Sequence, residues 1–249
     1  MAKGRPAKRA KGRVDAGARR PAAAPSQKQK PNQKQKPGQK PKPQPAPASP
    51  PEEPRTFRLG TIPGATPGKW IDAWKERMPH VPLELVPLAV ADQRDALRQL
   101  DAALVRLPID RRGVDAIPLY EETAVVIVSV DSALTVADEL GRDDLAGEVV
   151  IVPEDDVLGR IDIPGAVEPA FAAPAETSEA IATVATGVGV TVAPMSLARL
   201  HHRKDVTFRP LRDGPVSTVA LAWESERTTP DVETFVGIVR GRTAHSSRG

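Results

Sequence analysis

Gly64, Gly68, a lysine and a predicted helix start occur together in the stretch GTIPGATPGKW, which spans Gly60–Trp70. A Walker A loop for nucleotides needs four residues between its glycines and a Ser or Thr after the lysine. Here three residues separate Gly64 from Gly68, and Trp70 stands in the position of the hydroxyl. Pro67 also lacks one of the N–H donors that a phosphate loop uses. The spacing therefore indicates a loop for a smaller anion, such as a carboxylate, beside a helix N-terminus.

Other chemically capable side chains form no catalytic or metal-binding pattern. His201 and His202 are adjacent, so their rings point apart, and no third ligand stands at a chelating spacing. The acidic run 154–156 lacks the alternating spacing of a calcium loop. The chain has no cysteine and no G-x-S-x-G elbow. We therefore predict no metal, no cofactor and no enzymatic activity.

Apolar runs that alternate with amphipathic segments predict how this loop is positioned. The predicted strands are 56–62, 82–88, 101–108, 116–121, 123–130, 188–195, 205–211 and 216–224, with one more strand inside 145–153, and the predicted helices are 66–78, 91–100, 177–187 and 229–241. Thr66 is the predicted N-cap of the first helix, and Thr229 and Gly241 bound the last one. This alternation predicts an α/β fold with a parallel sheet covered on both faces, where ligands bind at the carboxyl ends of strands.

Residues 1–55 differ in composition from the rest of the chain. They hold 15 Lys and Arg against three acids, 12 of the 27 prolines and no aromatic residue, whereas residues 56–249 carry a net charge of −9. Such a segment cannot bury a core, so we predict a disordered basic tail. We expect it to contact nucleic acid non-specifically through phosphates; the alternative is a solubilising linker or a site for other partners. The basic residues chosen for this contact are Lys3, Arg5, Lys8, Arg9, Lys11, Arg13, Arg19, Arg20, Lys28, Lys30, Lys34 and Lys36.

The sequence also bears on the compartment. No run approaches the ~18 apolar residues of a membrane span, and no apolar stretch follows the basic start as in a secretory signal. The absence of cysteine fits a reducing environment. We predict a cytoplasmic protein without membrane contact.

Four segments in order resemble the effector-binding domain of LysR-type transcriptional regulators. They begin with FRLGTIPGATPGKW, LDAALVRLPIDRRG, TSEAIATVATGVGVTVAP and FRPLRDGP, and the resemblance covers roughly residues 56–240. It implies two Rossmann-like lobes joined by two crossing strands, as in type 2 periplasmic binding proteins. Lobe I would be residues 56–128 plus 219–249 and lobe II residues 129–218, with pairing as an antiparallel homodimer.

The resemblance further implies an effector in the cleft between the lobes, which we expect to be a small organic anion. The ligand-binding residues it implies are Thr61, Gly64, Ala65, Thr66, Arg106, Pro108, Pro153, Thr177 and Ser178. Arg106 suits bidentate binding of a carboxylate, whereas the alternative is an ion pair with a surface acid such as Asp110. Thr66 and Ser178 could instead only cap their helices.

Residues 1–55 depart from the family pattern, because LysR-type regulators begin with a helix-turn-helix and Pro, Gln and Lys supply no apolar periodicity for one. We therefore predict a small-molecule sensing domain that acts in transcriptional regulation and carries a basic arm. The alternative is a nucleic-acid-associating protein whose folded domain only oligomerises.

Overall fold

The structure is a computed structural model and describes residues 54–241. The predicted basic tail, apart from Pro54 and Arg55, lies outside the described residues, as does the last part of predicted lobe I, residues 242–249. Within the described range, no helix combines the length and the apolar character that a membrane crossing requires.

Seven strands and five helices form the fold. The strands are β1 (Phe57–Thr61), β2 (Leu83–Pro87), β3 (Ala102–Arg106), β4 (Val114–Ser129), β5 (Thr191–Pro194), β6 (Val206–Pro210) and β7 (Val216–Glu224). The helices are α1 (Gly68–Arg77), α2 (Gln93–Ala96), α3 (Thr177–Val184), α4 (Met195–Leu200) and α5 (Pro230–Val239). Short 3-10 turns follow α2, β4 and β7 and cover 142–145.

The first sheet has the strand order β2-β1-β3-β7-β4. Strands β1, β2 and β3 are parallel, as the alternation of strands and helices predicts, but β7 runs antiparallel to both β3 and β4. The reason is the route of the chain. Strand β4 leaves the first sheet, and β7 returns to it, so the two strands must run in opposite directions. The sheet is therefore mixed.

Strand β4 belongs to two sheets. Its first part, Val114 to Thr123, pairs with β7 in the first sheet. Its last part lies between β5 and β6, both antiparallel to it, and makes the second sheet. The predicted strands 116–121 and 123–130 are thus one strand of 16 residues with an irregularity between Pro118 and Tyr120. The exact lobe boundaries at 128/129 and 218/219 stay predictions.

Each sheet has a hydrophobic cluster on both of its faces. On one face of the first sheet the rings of Phe57, Trp74 and Phe235 pack together, with centroids 4.6 Å apart for Phe57–Trp74 and 5.2 Å for Phe57–Phe235. A second cluster around Leu97 and Val105 covers the other face. Two further clusters cover the faces of the second sheet. These cores fix the strand ends from which the candidate site is built.

Two predicted helix caps are wrong. Helix α1 begins at Gly68, because the carbonyl of Pro67 accepts its first hydrogen bonds, and Thr66 lies one residue outside. Helix α3 begins at Thr177, and the hydroxyl of Ser178 donates to the side chain of Glu176 rather than accepting from a backbone N–H. The cap of α5 is confirmed, since Thr229 Oγ1 accepts from the N–H of Val232.

Two predicted elements are shorter than the sequence indicates. The predicted helix 91–100 is a four-residue α2 followed by a 3-10 turn, both held against the first sheet by buried Leu97. The strand predicted inside 145–153 makes only isolated bridges, from Val149 to Val167 and from Val150 to Val190. Gly189 permits the second contact, because a Cβ there would lie 2.2 Å from the carbonyl oxygen of Val149.

Candidate functional site

Arg106, the last residue of β3, is the centre of a buried polar cluster. Only 2% of its side chain is exposed, and 9% of the side chain of Glu122. The Nη1 atom donates to Glu122 Oε2 at 2.6 Å and to Ser217 Oγ at 2.7 Å, and Nη2 donates to Ser196 Oγ at 3.0 Å. We call these four residues the Arg106 cluster. It joins β3, β4, β7 and α4, so it connects elements of both sheets.

Ser196 brings the second sheet into contact with the β1–α1 loop. Its hydroxyl donates to Glu122 Oε2 at 2.9 Å, and the carbonyl of Pro63 lies 3.5 Å from Arg106 Nη2. Gly64 has a φ of 82°, and a Cβ at this position would lie 2.5 Å from Ser196 Oγ. The glycine is needed both for the left-handed backbone and for the close approach of the loop to α4.

A cavity of about 620 Å³ lies beside the Arg106 cluster. It is lined by the β1–α1 loop, by the middle of β4 and by α4, so both sheets contribute to it. Its lining residues are Gly64, Ala65, Thr66, Tyr120, Glu121, Glu122, Thr123, Met195, Ser196, Arg199 and Leu200. A volume of this size suits a small organic molecule.

The charges in this cavity are arranged asymmetrically. The charge of Glu122 is neutralised by Arg106, which does not itself line the cavity. The exposed Glu121 and Arg199, in contrast, have no ion-pair partner in the described part of the chain. Burial raises the pKa of Tyr120, the charge of Glu122 raises it further, and Arg106 opposes both. Tyr120 therefore stays protonated at neutral pH, and its hydroxyl remains a possible donor. Arg199 is the one guanidinium among the lining residues.

The predicted site residues fall into three groups. Gly64, Ala65 and Thr66 line the cavity. Arg106 does not line it but contacts two residues that do, Glu122 and Ser196. The other predicted residues, Thr61, Pro108, Pro153, Thr177 and Ser178, do not line this cavity. Their participation in ligand binding stays a prediction.

Several of these residues have other contacts. Asp110 pairs with Arg112, whose guanidinium lowers the pKa of Asp110 to about 2. Arg106 does pair with an acid, as the alternative predicts, but the acid is the buried Glu122 and not Asp110. The hydroxyl of the buried Thr177 donates to Asp155 Oδ1 at 2.8 Å. Pro108 follows a cis peptide bond.

Sequence reasoning did not single out Ser196, Arg199 and Ser217, nor the adjacent Glu121 and Glu122. The alternation of side chains along a strand shows that only one of the two glutamates turns toward Arg106, but not which one. Ser196 and Arg199 lie in the short helix α4, which begins directly after β5 and was not among the predicted helices. No local signal marks Ser217, which is buried in β7.

A metal site has no support among residues 54–241, where no group of three or more His, Asp or Glu side chains could hold an ion. His201 and His202 follow α4 directly, and His202 is exposed.

Comparisons with known proteins agree with this architecture. The E. coli K12 protein "Hca operon transcriptional activator HcaR" is 29% identical over 211 residues, covering 78% of this chain and 70% of that protein. The reduced OxyR regulatory domain from Pseudomonas aeruginosa has a TM-score of 0.56 and 24% identity, over 77% of this chain and 97% of that one. The BenM effector binding domain with its effector benzoate has a TM-score of 0.60 and 18% identity, over 78% of this chain and 95% of that one.

The two structural matches share the mixed α/β fold with two sheets described above. The match to the family of LysR substrate binding domains covers residues 51–244, which include every described element. This chain therefore belongs to the LysR substrate-binding domain family, the effector-binding domain of LysR-type transcriptional regulators.

Proposed function

We propose that this chain senses a small organic anion, bound in the cavity between the β1–α1 loop and α4, and that binding regulates transcription. The observation that supports this most directly is the cavity itself, because residues associated with both sheets line it. A ligand there would contact Ala65 on one side and Arg199 on the other, so its affinity would depend on the distance between them. Such a dependence is what allows a ligand to shift a conformational equilibrium.

The charge of the ligand is inferred from the side chains that remain available. Glu122 has Arg106 as its counter-ion, so it adds little net charge to the cavity. Arg199 has no counter-ion among the described residues and can bind a carboxylate through two N–H donors. Hydroxyls of Thr66 and Thr123 also line the cavity, and Met195 and Leu200 offer apolar contacts. Because Glu121 repels anions, the carboxylate belongs on the α4 side. BenM, a structural match, has benzoate, an organic anion, as its effector.

The Arg106 cluster is well placed to respond to closure. It depends on Ser196 from α4 and on groups of the first sheet, and Gly64 packs against the same serine. A ligand that draws α4 toward the loop would strengthen these hydrogen bonds, and one that separates them would break the contacts of Ser196. We propose that the two lobes, with the predicted boundaries, move in this way and that the chain acts as a homodimer.

A thermal-shift screen of organic acids tests the proposed ligand class. At a concentration about 100 times its Kd, a cavity ligand stabilises the folded state by about 2.7 kcal/mol. Arg199→Gln is expected to weaken binding of the best acid by about tenfold to a hundredfold, because it removes a charged hydrogen-bond donor. Arg199 is exposed, so the unliganded variant should unfold like the parent protein.

The matched control is Arg203→Gln, which removes an exposed arginine that pairs with Asp205 and does not line the cavity. It should leave acid binding unchanged. If no acid in a broad panel stabilises the protein, the sensing proposal fails; if Arg199→Gln and Arg203→Gln bind the best acid equally well, the proposed position of the carboxylate fails.

We also propose that residues 1–55 contact nucleic acid without sequence preference. The support is compositional: 15 basic residues, three acids and no aromatic side chain for base stacking. With four phosphate contacts, affinity should fall by about a hundredfold between 50 and 200 mM salt. Gel retardation of a random DNA duplex measures this, and deletion of residues 1–53 should abolish it.

The same deletion separates the two candidate functions. If the deleted protein still binds the best acid but not DNA, sensing and nucleic-acid contact are separate properties of one chain. If the intact protein does not retard DNA even at low salt, the arm has another role. If DNA binds but no acid does, the folded domain serves only for assembly, which a change in the measured oligomeric state with concentration would support.

A further inference from the structure

The cavity beside the Arg106 cluster has an acidic side that the proposed carboxylate leaves unused. Three consecutive residues of β4 line it, Tyr120, Glu121 and Glu122, and we call them the β4 acceptors. Glu121 is exposed and makes no hydrogen bond or ion pair with any residue in the range 54–241. A ligand with a carboxylate as its single polar group would bind Arg199 and leave these acceptors without a partner.

One carboxylate oxygen of Glu122 is available to a ligand. The hydrogen bonds from Arg106 Nη1 and from Ser196 Oγ both end on Oε2, and no residue in the described range donates to Oε1. Within that range Arg106 Nε is the one fully buried polar side-chain atom without a partner, so Oε1 keeps contact with solvent. Because the pair with Arg106 holds the carboxylate in place, Oε1 is a preorganised acceptor at the cavity.

Tyr120 supplies a third acceptor. Burial and the charge of Glu122 raise its pKa while Arg106 opposes them, so the hydroxyl is neutral at physiological pH and accepts a hydrogen bond as well as donating one. Tyr120 and Glu122 are two residues apart on β4 and lie on the same face of the strand, whereas Glu121 adds an uncompensated negative charge beside them. An ammonium group, with three N–H donors and a positive charge, matches this set of acceptors.

We propose that the ligand of this cavity is an amino carboxylate, with its carboxylate on Arg199 and its ammonium on the β4 acceptors. This inference rests on the proposed function, because it adds a second charged group to the acid that binds there. The ammonium gives Glu121 a counter-ion as the carboxylate gives Arg199 one, so closure of the cavity leaves neither charge unpaired. Met195 and Leu200 contact the carbon chain between the two groups. An acid without an amine leaves Glu121 unpaired, and an amine without an acid leaves Arg199 unpaired.

The test uses the full chain and pairs of probes that share a carbon skeleton and differ in the amine. The pairs are propanoate with alanine, butanoate with γ-aminobutyrate, and hexanoate with ε-aminocaproate, and isothermal titration calorimetry gives each Kd. The skeletons differ in length so that one of them spans the distance from Arg199 to the β4 acceptors. At that length we expect the amine to lower the Kd by about tenfold to a hundredfold, and its uncharged N-acetyl form to lose the gain.

Protein variants place the ammonium on the β4 acceptors. Glu121→Gln should bring the two Kd values of the best pair to within about threefold of each other, whereas Arg199→Gln should weaken both members and keep their ratio. Glu226→Gln is the matched control, since Glu226 is exposed and does not line the cavity, and it should change neither Kd. Equal urea midpoints would show that folding is unaffected. Tyr120→Phe, which removes a single hydroxyl and should lose part of the gain, keeps the test valid should Glu121→Gln unfold.

Four results would overturn the amino carboxylate. If the acids bind and the amine adds nothing at any length, this inference fails and the proposed function stands. If no acid and no amino acid binds, both fail. If propylamine binds as tightly as the best amino acid, the cavity takes a cation and Arg199 has no part in binding. If Glu121→Gln keeps the same gain as Glu226→Gln, the ammonium lies elsewhere.

Discussion

Replacing Arg106 with methionine is expected to cost about 3–5 kcal/mol of the free energy of unfolding, since it leaves a buried carboxylate without its partner. Glu122 is 9% exposed and would keep only the hydrogen bond from Ser196. Methionine fills much of the volume of the arginine, so the loss reports charge and hydrogen bonding rather than a cavity. Urea unfolding followed by tryptophan fluorescence measures it.

A second substitution should reverse most of this loss. When both members of a buried ion pair become apolar, the desolvation cost disappears with the attraction. The double variant Arg106→Met with Glu122→Leu is therefore expected to be closer to the parent protein in unfolding free energy than Arg106→Met alone. Arg112→Met, at the exposed Arg112–Asp110 pair, is the control and should change little. Equal losses in Arg106→Met and Arg112→Met would contradict the assignment of a buried, structurally required pair.

Replacing Trp74 with alanine should destabilise the protein by about 3–5 kcal/mol, the cost of removing a large buried aromatic side chain. The ring is fully buried against Phe57 and Phe235, and its Nε1 donates to the carbonyl of Val81 at 2.8 Å. The alanine variant would leave both a cavity and an unpaired carbonyl. The measurement is again the urea midpoint together with its slope.

Trp70→Ala is the matched control for this prediction, because the residue lies one turn earlier on the same helix and is only partly buried. Trp70→Ala should lower the free energy of unfolding clearly less than Trp74→Ala does. Trp74→Phe separates the two contributions, since it keeps most of the apolar contact and loses the hydrogen bond to Val81. A Trp74→Ala protein as stable as Trp70→Ala would mean that α1 does not pack on the first sheet as described.

The parts of the fold that could be predicted are those with local causes. Helix α5 has a threonine that caps its first turn, a proline at its start and a glycine of positive φ, Gly241, just beyond its end. Strands β1, β2 and β3 are short apolar runs bounded by turn residues. Thr66 could not be assigned correctly, because Pro67 can stand either at the cap or inside the first turn.

The candidate site could be predicted only where it is a loop. Gly64 to Thr66 are recognisable from glycine and proline punctuation, and they do line the cavity. The partners of Arg106 were out of reach, because Glu122, Ser196 and Ser217 lie 16, 90 and 111 residues away along the chain. Only tertiary packing shows that the arginine expected to bind a ligand is already bound by the protein itself.

The shared strand β4 limits how this domain can be dissected. Its first part completes one sheet and its last part is the middle strand of the other. A fragment cut between the two sheets would break that strand and leave β7 or β5 and β6 with exposed, unpaired ladders, which invite aggregation. Neither portion should survive as a separate soluble piece. A truncation meant to isolate one sheet should therefore unfold both sheets.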